Sequence, residues 1–147
     1  MSVGLLIADD HDLVRLGLRK VLEGDDFHIL ADVGVAQEAL RLCLDSRVQL
    51  VLLDLSWGEA ADRAAGKAGF EVLREIHARR PDLPVVVYSA ETSAHCVQRC
   101  RHLGARGYLV KGRDESSVAR AVRAVLAGGQ IWPDSGDSWR GECLSGA

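Results

Sequence analysis

No stretch of this chain stays apolar long enough to cross a bilayer. The opening residues, MSVGLLIADD, have neither the basic start nor the cleavage site of a secretory leader, and acids follow their apolar run at once. A cytoplasmic location and no membrane partner are therefore expected. No cysteines have CxxC spacing. Cys43, Cys96, Cys100 and Cys143 are too scattered for a disulfide framework and read as free thiols in a reducing compartment. Basic charge is not in surplus: 18 Lys and Arg stand against 21 Asp and Glu, a net charge of −3. That argues against direct nucleic-acid binding by this chain, because such domains carry a basic footprint. No internal repeat is visible. What remains is an ordinary globular composition, 48% hydrophobic and 27% charged over 147 residues, which suits one domain with one core.

The apolar pattern alternates between two kinds of segment. VGLLIA (3–8), FHILADV (27–33), VQLVLLD (48–54), LPVVVYS (83–89) and ARGYLV (105–110) are short and nearly continuous, as strands covered on both faces of a parallel sheet would be. Between them the spacing is helical. Ala36, Ala39, Leu40, Cys43 and Leu44 share one face, as do Gly69, Val72, Leu73 and Ile76, and again Val118, Val122, Val125 and Leu126. Residues 12–23 and 93–103 are weaker helices of the same kind. Pro81 ends the third helix after Arg79 and Arg80, Gly104 follows the fourth, and Gly128-Gly129 follow the fifth. The expected fold is α/β: a (βα)5 doubly wound parallel five-stranded sheet, flavodoxin-like, with strand order 2-1-3-4-5. Two segments break the rhythm: the long connection 55–68, LSWGEAADRAAGKA, and the aperiodic end 129–147.

In such a sheet, ligands bind at the carboxyl ends of the strands. Strand one ends in Asp9-Asp10, strand three in Asp54, strand four in Ser89 and strand five in Lys111. Taken singly, each has a bland role. Asp10 or Asp12 can cap the first helix, Ser89 can form a turn, and Lys111 can be a solvated loop residue. Agreement among four strand ends points instead to a site. Clustered carboxylates repel one another and call for a cation, and all-oxygen ligation suits Mg2+. With the charge partly neutralised, one carboxylate can attack phosphorus. Lys111 can then stabilise charge on the phosphoryl oxygens, and Ser89 can donate a hydrogen bond to the product.

The segments IADDHDLVRLGL, LVLLDL, VVVYSA and GARGYLVKG closely resemble the receiver domain of two-component response regulators, and ADDH with YLVKG most resembles the NarL/FixJ-type (LuxR-family) branch. The resemblance covers residues 3 to about 128. It implies a phosphorylation-dependent signalling domain at 1–128; the loss of periodicity over 129–147 reads as a C-terminal tail or linker remnant, expected to be flexible with Trp132 docked on the domain. It implies that Asp54 is the phosphoacceptor for a sensor histidine kinase. Asp10 matches a direct Mg2+ ligand, Asp9 a ligand through water, and the backbone carbonyl of Ser56 the third protein ligand. Ser89 matches the switch hydroxyl, Lys111 the phosphoryl-pairing lysine, and Tyr108 the aromatic switch that turns inward on activation. Output would run through the face made by helix four, strand five and helix five, to control transcription in a full-length parent. Homodimers through helix faces are compatible with this. The domain would catalyse only its own phosphorylation and dephosphorylation.

Two departures qualify the resemblance. The family usually follows the phosphoacceptor with a Met-Pro or similar pair and then a glycine that opens helix three. Here Trp57-Gly58 follows, the matching glycine is Gly69, and the loop is longer by about seven residues. Trp57 suits a hydrophobic anchor for that loop, with shielding of the site or docking of a partner as alternatives. The chain also ends before the helix-turn-helix domain usual in the branch, as a stand-alone receiver or a fragment would. Cys96 and Cys100, flanked by His95 and His102, have a spacing that could bind a soft metal, although packing is the commoner role. Two rivals stand beside the receiver reading: a pseudo-receiver serving as a phosphorylation-independent interaction module, and a small phosphohydrolase. Against the second, neither a specificity cap nor a second general acid beside Asp54 is evident.

Overall fold

The computed structural model describes residues 2–24, 26–57, 67–112, 116–133 and 139–142. Gly58 and most of the long connection, Arg113, Cys143 and parts of the expected tail lie outside the described residues. In chain order the elements are β1 (Val3–Ala8), α1 (Asp12–Leu22), β2 (Phe27–Val33), α2 (Ala36–Leu42), β3 (Leu50–Leu53), α3 (Lys67–Arg79), β4 (Val85–Ser89), α4 (Ala94–His102), β5 (Gly107–Val110), α5 (Ser116–Leu126), β6 (Gln130–Pro133) and β7 (Trp139–Glu142).

The strands form one sheet in the order β2-β1-β3-β4-β5-β6-β7. Pairs from β2 through β6 are parallel, and β7 runs antiparallel to β6. The expected 2-1-3-4-5 order is its centre. Period-two alternation divides the strand residues between two cores. Leu6, Val51, Leu53, Val85 and Val87 pack with Ala39 of α2, Leu73 and Ile76 of α3, and Cys100 of α4. Leu5, Ile7, Leu50, Leu52 and Val86 pack with Leu18 and Leu22 of α1 and with Val118, Val122 and Val125 of α5. Both faces of the sheet are therefore covered, which is why the strand sequences read as unbroken apolar runs.

To the five expected strands the structure adds two, β6 and β7, both from the segment after residue 128. QIWP is a weak strand signal, with two apolar residues and a proline that cannot donate to a ladder. Tertiary packing makes the strand. Ile131 is wholly buried, its N–H donates to the Arg106 carbonyl across 3.2 Å, and Trp132 lies 5.1 Å beneath the Arg101 guanidinium. The addition covers the edge that β5 would otherwise leave open. At the other end of this region, Gly104 stops α4 with φ +104°, a left-handed conformation that L side chains resist.

Candidate functional site

The residues that follow the strands are pinned by the sheet itself. The Asp54 N–H donates to the Ala8 carbonyl at 2.8 Å, the Asp9 N–H to Val33 at 3.0 Å, and the Lys111 N–H to Ser89 at 2.8 Å. Each site residue stands one step beyond its strand with its backbone still in the ladder, so a rigid sheet aims the side chains at one rim. Lys111 Nζ lies 2.9 Å from Asp9 Oδ2 and 3.3 Å from Asp54 Oδ1. Asp9, Asp54 and Ser89 are buried. Both Asp54 carboxylate oxygens are shielded from solvent, and neither accepts a well-directed hydrogen bond.

That setting controls the charge on Asp54. Burial pushes its carboxyl above the ordinary carboxylate range, and the Asp9 charge adds to the rise. Lys111 and the backbone N–H of Ser56 oppose it. Ligand atoms of Asp9, Asp10, His11 and Asp54 lie within 4.8 Å of one another, the one group of at least three metal-ligating side chains among the described residues. Three carboxylates facing one lysine leave surplus negative charge, and their oxygens are the hard donors Mg2+ takes. The residues present therefore fit that ion.

The N-cap position of α1 is His11 rather than Asp10 or Asp12, and the His11 side chain makes no cap hydrogen bond. Ser89 does take part in a turn, its Oγ accepting from the Glu91 N–H at 3.2 Å, while remaining on the same rim. Ser56 is half-buried two residues beyond Asp54. Tyr108 is wholly buried, its hydroxyl donating to the Glu91 carbonyl at 2.6 Å and lying 3.6 Å from Cys96 Sγ. The ring thus lies inside the fold, and burial drives its phenol pKa well up.

Over residues 5–123 the sequence matches the response regulator receiver domain. The chain belongs to that family. Among curated relatives of this receiver domain, the response regulator UvrY of Escherichia coli (strain K12) is 29% identical over 127 residues, covering 86% of the chain and 55% of UvrY. The transcriptional activator protein ExaE of Pseudomonas putida is 34% identical over 127 residues, 86% of the chain and 56% of ExaE. The receiver domain spans little more than half the length of these relatives. A LuxR-family two-component response regulator from Aurantimonas sp. SI85-9A1 superposes with a TM-score of 0.77 at 24% identity, over 88% of the chain and 89% of that structure. The isolated receiver domain of RcsB from Salmonella enterica serovar Typhimurium, solved with the phosphomimetic BeF3-, gives 0.78 at 20% identity, over 92% and 96%. These two structures attest the fold.

Around the receiver rim, the structure adds residues that sequence reasoning missed. His11 Nδ1 lies 2.9 Å from Asp9 Oδ1, 3.2 Å from Asp10 Oδ1 and 3.6 Å from Asp54 Oδ2. Arg15 ties the Asp9-Asp10 corner to its surroundings, donating to the Asp9 carbonyl at 2.6 Å, to Asp32 on β2 at 3.0 Å and to Asp12 at 2.5 Å. The ADDH string contained the signal for His11. Arg15 carried none, because its reach to β2 is tertiary.

Trp57 is buried in the core, and its indole N–H donates to the Asp54 carbonyl at 2.6 Å. It is an anchor, and the partner-docking alternative fails on its burial. Gly69 explains how α3 approaches: a Cβ there would stand 2.3 Å from the Leu55 backbone. The soft-metal alternative at Cys96 and Cys100 also fails. Both thiols are in the core, whereas His95 and His102 line a groove on the helix surface with Gln98, Arg99 and Leu103.

Proposed function

We propose that this receiver domain accepts a phosphoryl group on Asp54 from a sensor histidine kinase and uses the added charge to reset its output face. The observation that carries the reading is the buried Asp54 carboxylate, held at the β3 end between Lys111 and the acids of β1 with no well-directed hydrogen bond. An Asp54 oxygen attacks phosphorus, the phosphorus–nitrogen bond of the phosphohistidine breaks, and the imidazole leaves with a proton from solvent. Lys111 pairs with the phosphoryl oxygens, and Ser89 Oγ turns from the Glu91 N–H to donate to one of them.

Asp9, Asp10, Asp54 and the Ser56 carbonyl would hold Mg2+, Asp9 through water. When bound, the ion would neutralise the cluster and spread the charge of the transferring group. Hydrogen bonds link Ser89 to Glu91, Glu91 to Tyr108 and Tyr108 to Cys96 of α4, and through them the new charge on Asp54 would bias the α4–β5–α5 face. The domain then acts by protein contact in the cytoplasm, as a homodimer or by controlling a DNA-binding domain of a longer parent, without touching nucleic acid itself. It catalyses only its own phosphorylation and dephosphorylation.

The test is intact mass after incubation with acetyl phosphate, with and without Mg2+, alongside Asp54→Asn. One Mg2+-dependent phosphoryl adduct, lost in the variant, is expected. A folded protein that takes no adduct would instead be a pseudo-receiver.

A further inference from the structure

Receiver chemistry at this rim needs oxygen donors alone, yet a nitrogen sits among them. His11 is the N-cap of α1, with extended backbone at φ −98° and ψ 113°. Its N–H donates to Asp9 Oδ1 at 2.8 Å, which fixes the residue at the mouth of the acidic pocket. From there Nδ1 reaches 2.9 Å from Asp9 Oδ1, 3.2 Å from Asp10 Oδ1 and 3.6 Å from Asp54 Oδ2. Adjacent donors around a six-coordinate ion with bonds near 2.1 Å stand roughly 3 Å apart, and opposite ones roughly 4.2 Å. The separations from Asp10 and Asp54, the two direct carboxylate donors, fall within that frame, while the contact with Asp9 is a hydrogen bond that holds the ring in place. Independently, the Asp54 oxygens are fully shielded and lack well-directed hydrogen bonds, so a ligand is called for at this place.

We infer that His11 is a fourth protein donor to the metal site, shifting its preference from Mg2+ toward divalent transition ions that accept imidazole nitrogen. Carboxylate and carbonyl oxygens suit Mg2+, Ca2+ and Mn2+, whereas imidazole favours the later first-row ions. A site with three carboxylates and one imidazole accommodates both classes and ranks them differently from an all-oxygen site. The inference rests on the acidic-pocket reading of the proposed function. His11 is about half exposed, so the imidazole can swing aside for Mg2+ without disturbing the core.

The experiment is calorimetric titration of the full chain with Mg2+ and, separately, Co2+, using wild type, His11→Ala, His11→Gln and Asp10→Ala. Binding at the pocket is the component that Asp10→Ala removes, which sets aside Co2+ held by other histidines. Expected is a loss of about tenfold or more in Co2+ affinity in both His11 variants, with Mg2+ affinity changed less than about twofold. Equal changes for the two ions, or none for either, would overturn the His11 assignment while leaving the acidic pocket standing. Wild-type binding of both ions by folded Asp10→Ala would overturn the pocket reading itself, and His11 with it.

Discussion

The indole N–H of Trp57 donates to the backbone carbonyl of Asp54 across 2.6 Å, tying the start of the lengthened loop to the proposed phosphoacceptor. The bond is buried, and Trp57 belongs to the core on the face of the sheet covered by α2, α3 and α4. Trp57→Phe keeps an aromatic ring but removes the donor. The expected cost is about 1–3 kcal/mol, the penalty for stripping a buried carbonyl of a partner. Urea unfolding measures this directly. Because the same bond restrains Asp54, the acetyl-phosphate reaction of the folded variant should slow several-fold; unchanged stability and unchanged rate would mean that the indole bond restrains nothing.

Asp54 also makes a prediction about pH. Burial and the Asp9 charge raise its folded pKa above the unfolded value of about 4. Between those two values the native state binds more protons than the unfolded one, so its stability falls as pH rises through that window and stays lowered above it. Below both values the penalty is absent. Asp54→Asn removes it and leaves Lys111 paired with Asp9 at 2.9 Å. In chelator-treated buffer the variant should be more stable than wild type at pH 7, by on the order of 1–3 kcal/mol. The two proteins should converge below about pH 4. Thermal melts across that range check the sign, and a variant less stable at pH 7 would contradict it.

The site was legible in the sequence because its residues stand where apolar runs stop: Asp9-Asp10 after LLIA, Asp54 after LVLL, Lys111 after YLV. Strand ends are read from hydrophobicity, and the sheet then brings them together without further information. The illegible parts depend on contacts distant in sequence. β6 exists because Ile131 fits a core already made by β5 and α5, and because an arginine on α4 covers Trp132. QIWP alone contains neither fact. Arg15 resembles a surface helix residue until β2 places Asp32 beside it.

Arg80 is the sharpest such case, since beside Arg79 at the end of α3 it looked like a second helix-terminal charge. Its Nη1 instead meets three backbone carbonyls, of Cys43, Asp45 and Val48, each at 3.0 Å, closing the α2–β3 turn. Arg79 makes a single exposed bond of 3.3 Å to Leu40 and a loose pair with Glu75. Arg80→Met should therefore cost about 2–3 kcal/mol, because partly buried carbonyls lose a charged donor. Arg79→Met should stay within about 0.5 kcal/mol. Matched denaturation curves for the two variants decide the point; equal losses would reduce Arg80 to a helix-end charge.

Gly69 links the fold to the chemistry most tightly. It lies in the first turn of α3, where a Cβ would stand 2.3 Å from both the Leu55 Cα and the Leu55 carbonyl oxygen. The obstacle is backbone, so no rotamer change relieves it. Gly69→Ala gains helix propensity worth about 1 kcal/mol. It must also push α3 away from the residue that follows Asp54, and overpacking of this kind typically costs about 1–3 kcal/mol. The clash should win, giving a net loss of stability, with Asp54 displaced from Lys111 and a slower phosphoryl adduct. Gly24, where a Cβ would meet nothing within 4 Å, is the control: Gly24→Ala should change neither property appreciably. A Gly69→Ala protein with wild-type stability and wild-type adduct formation would show that α3 can retreat without moving the site.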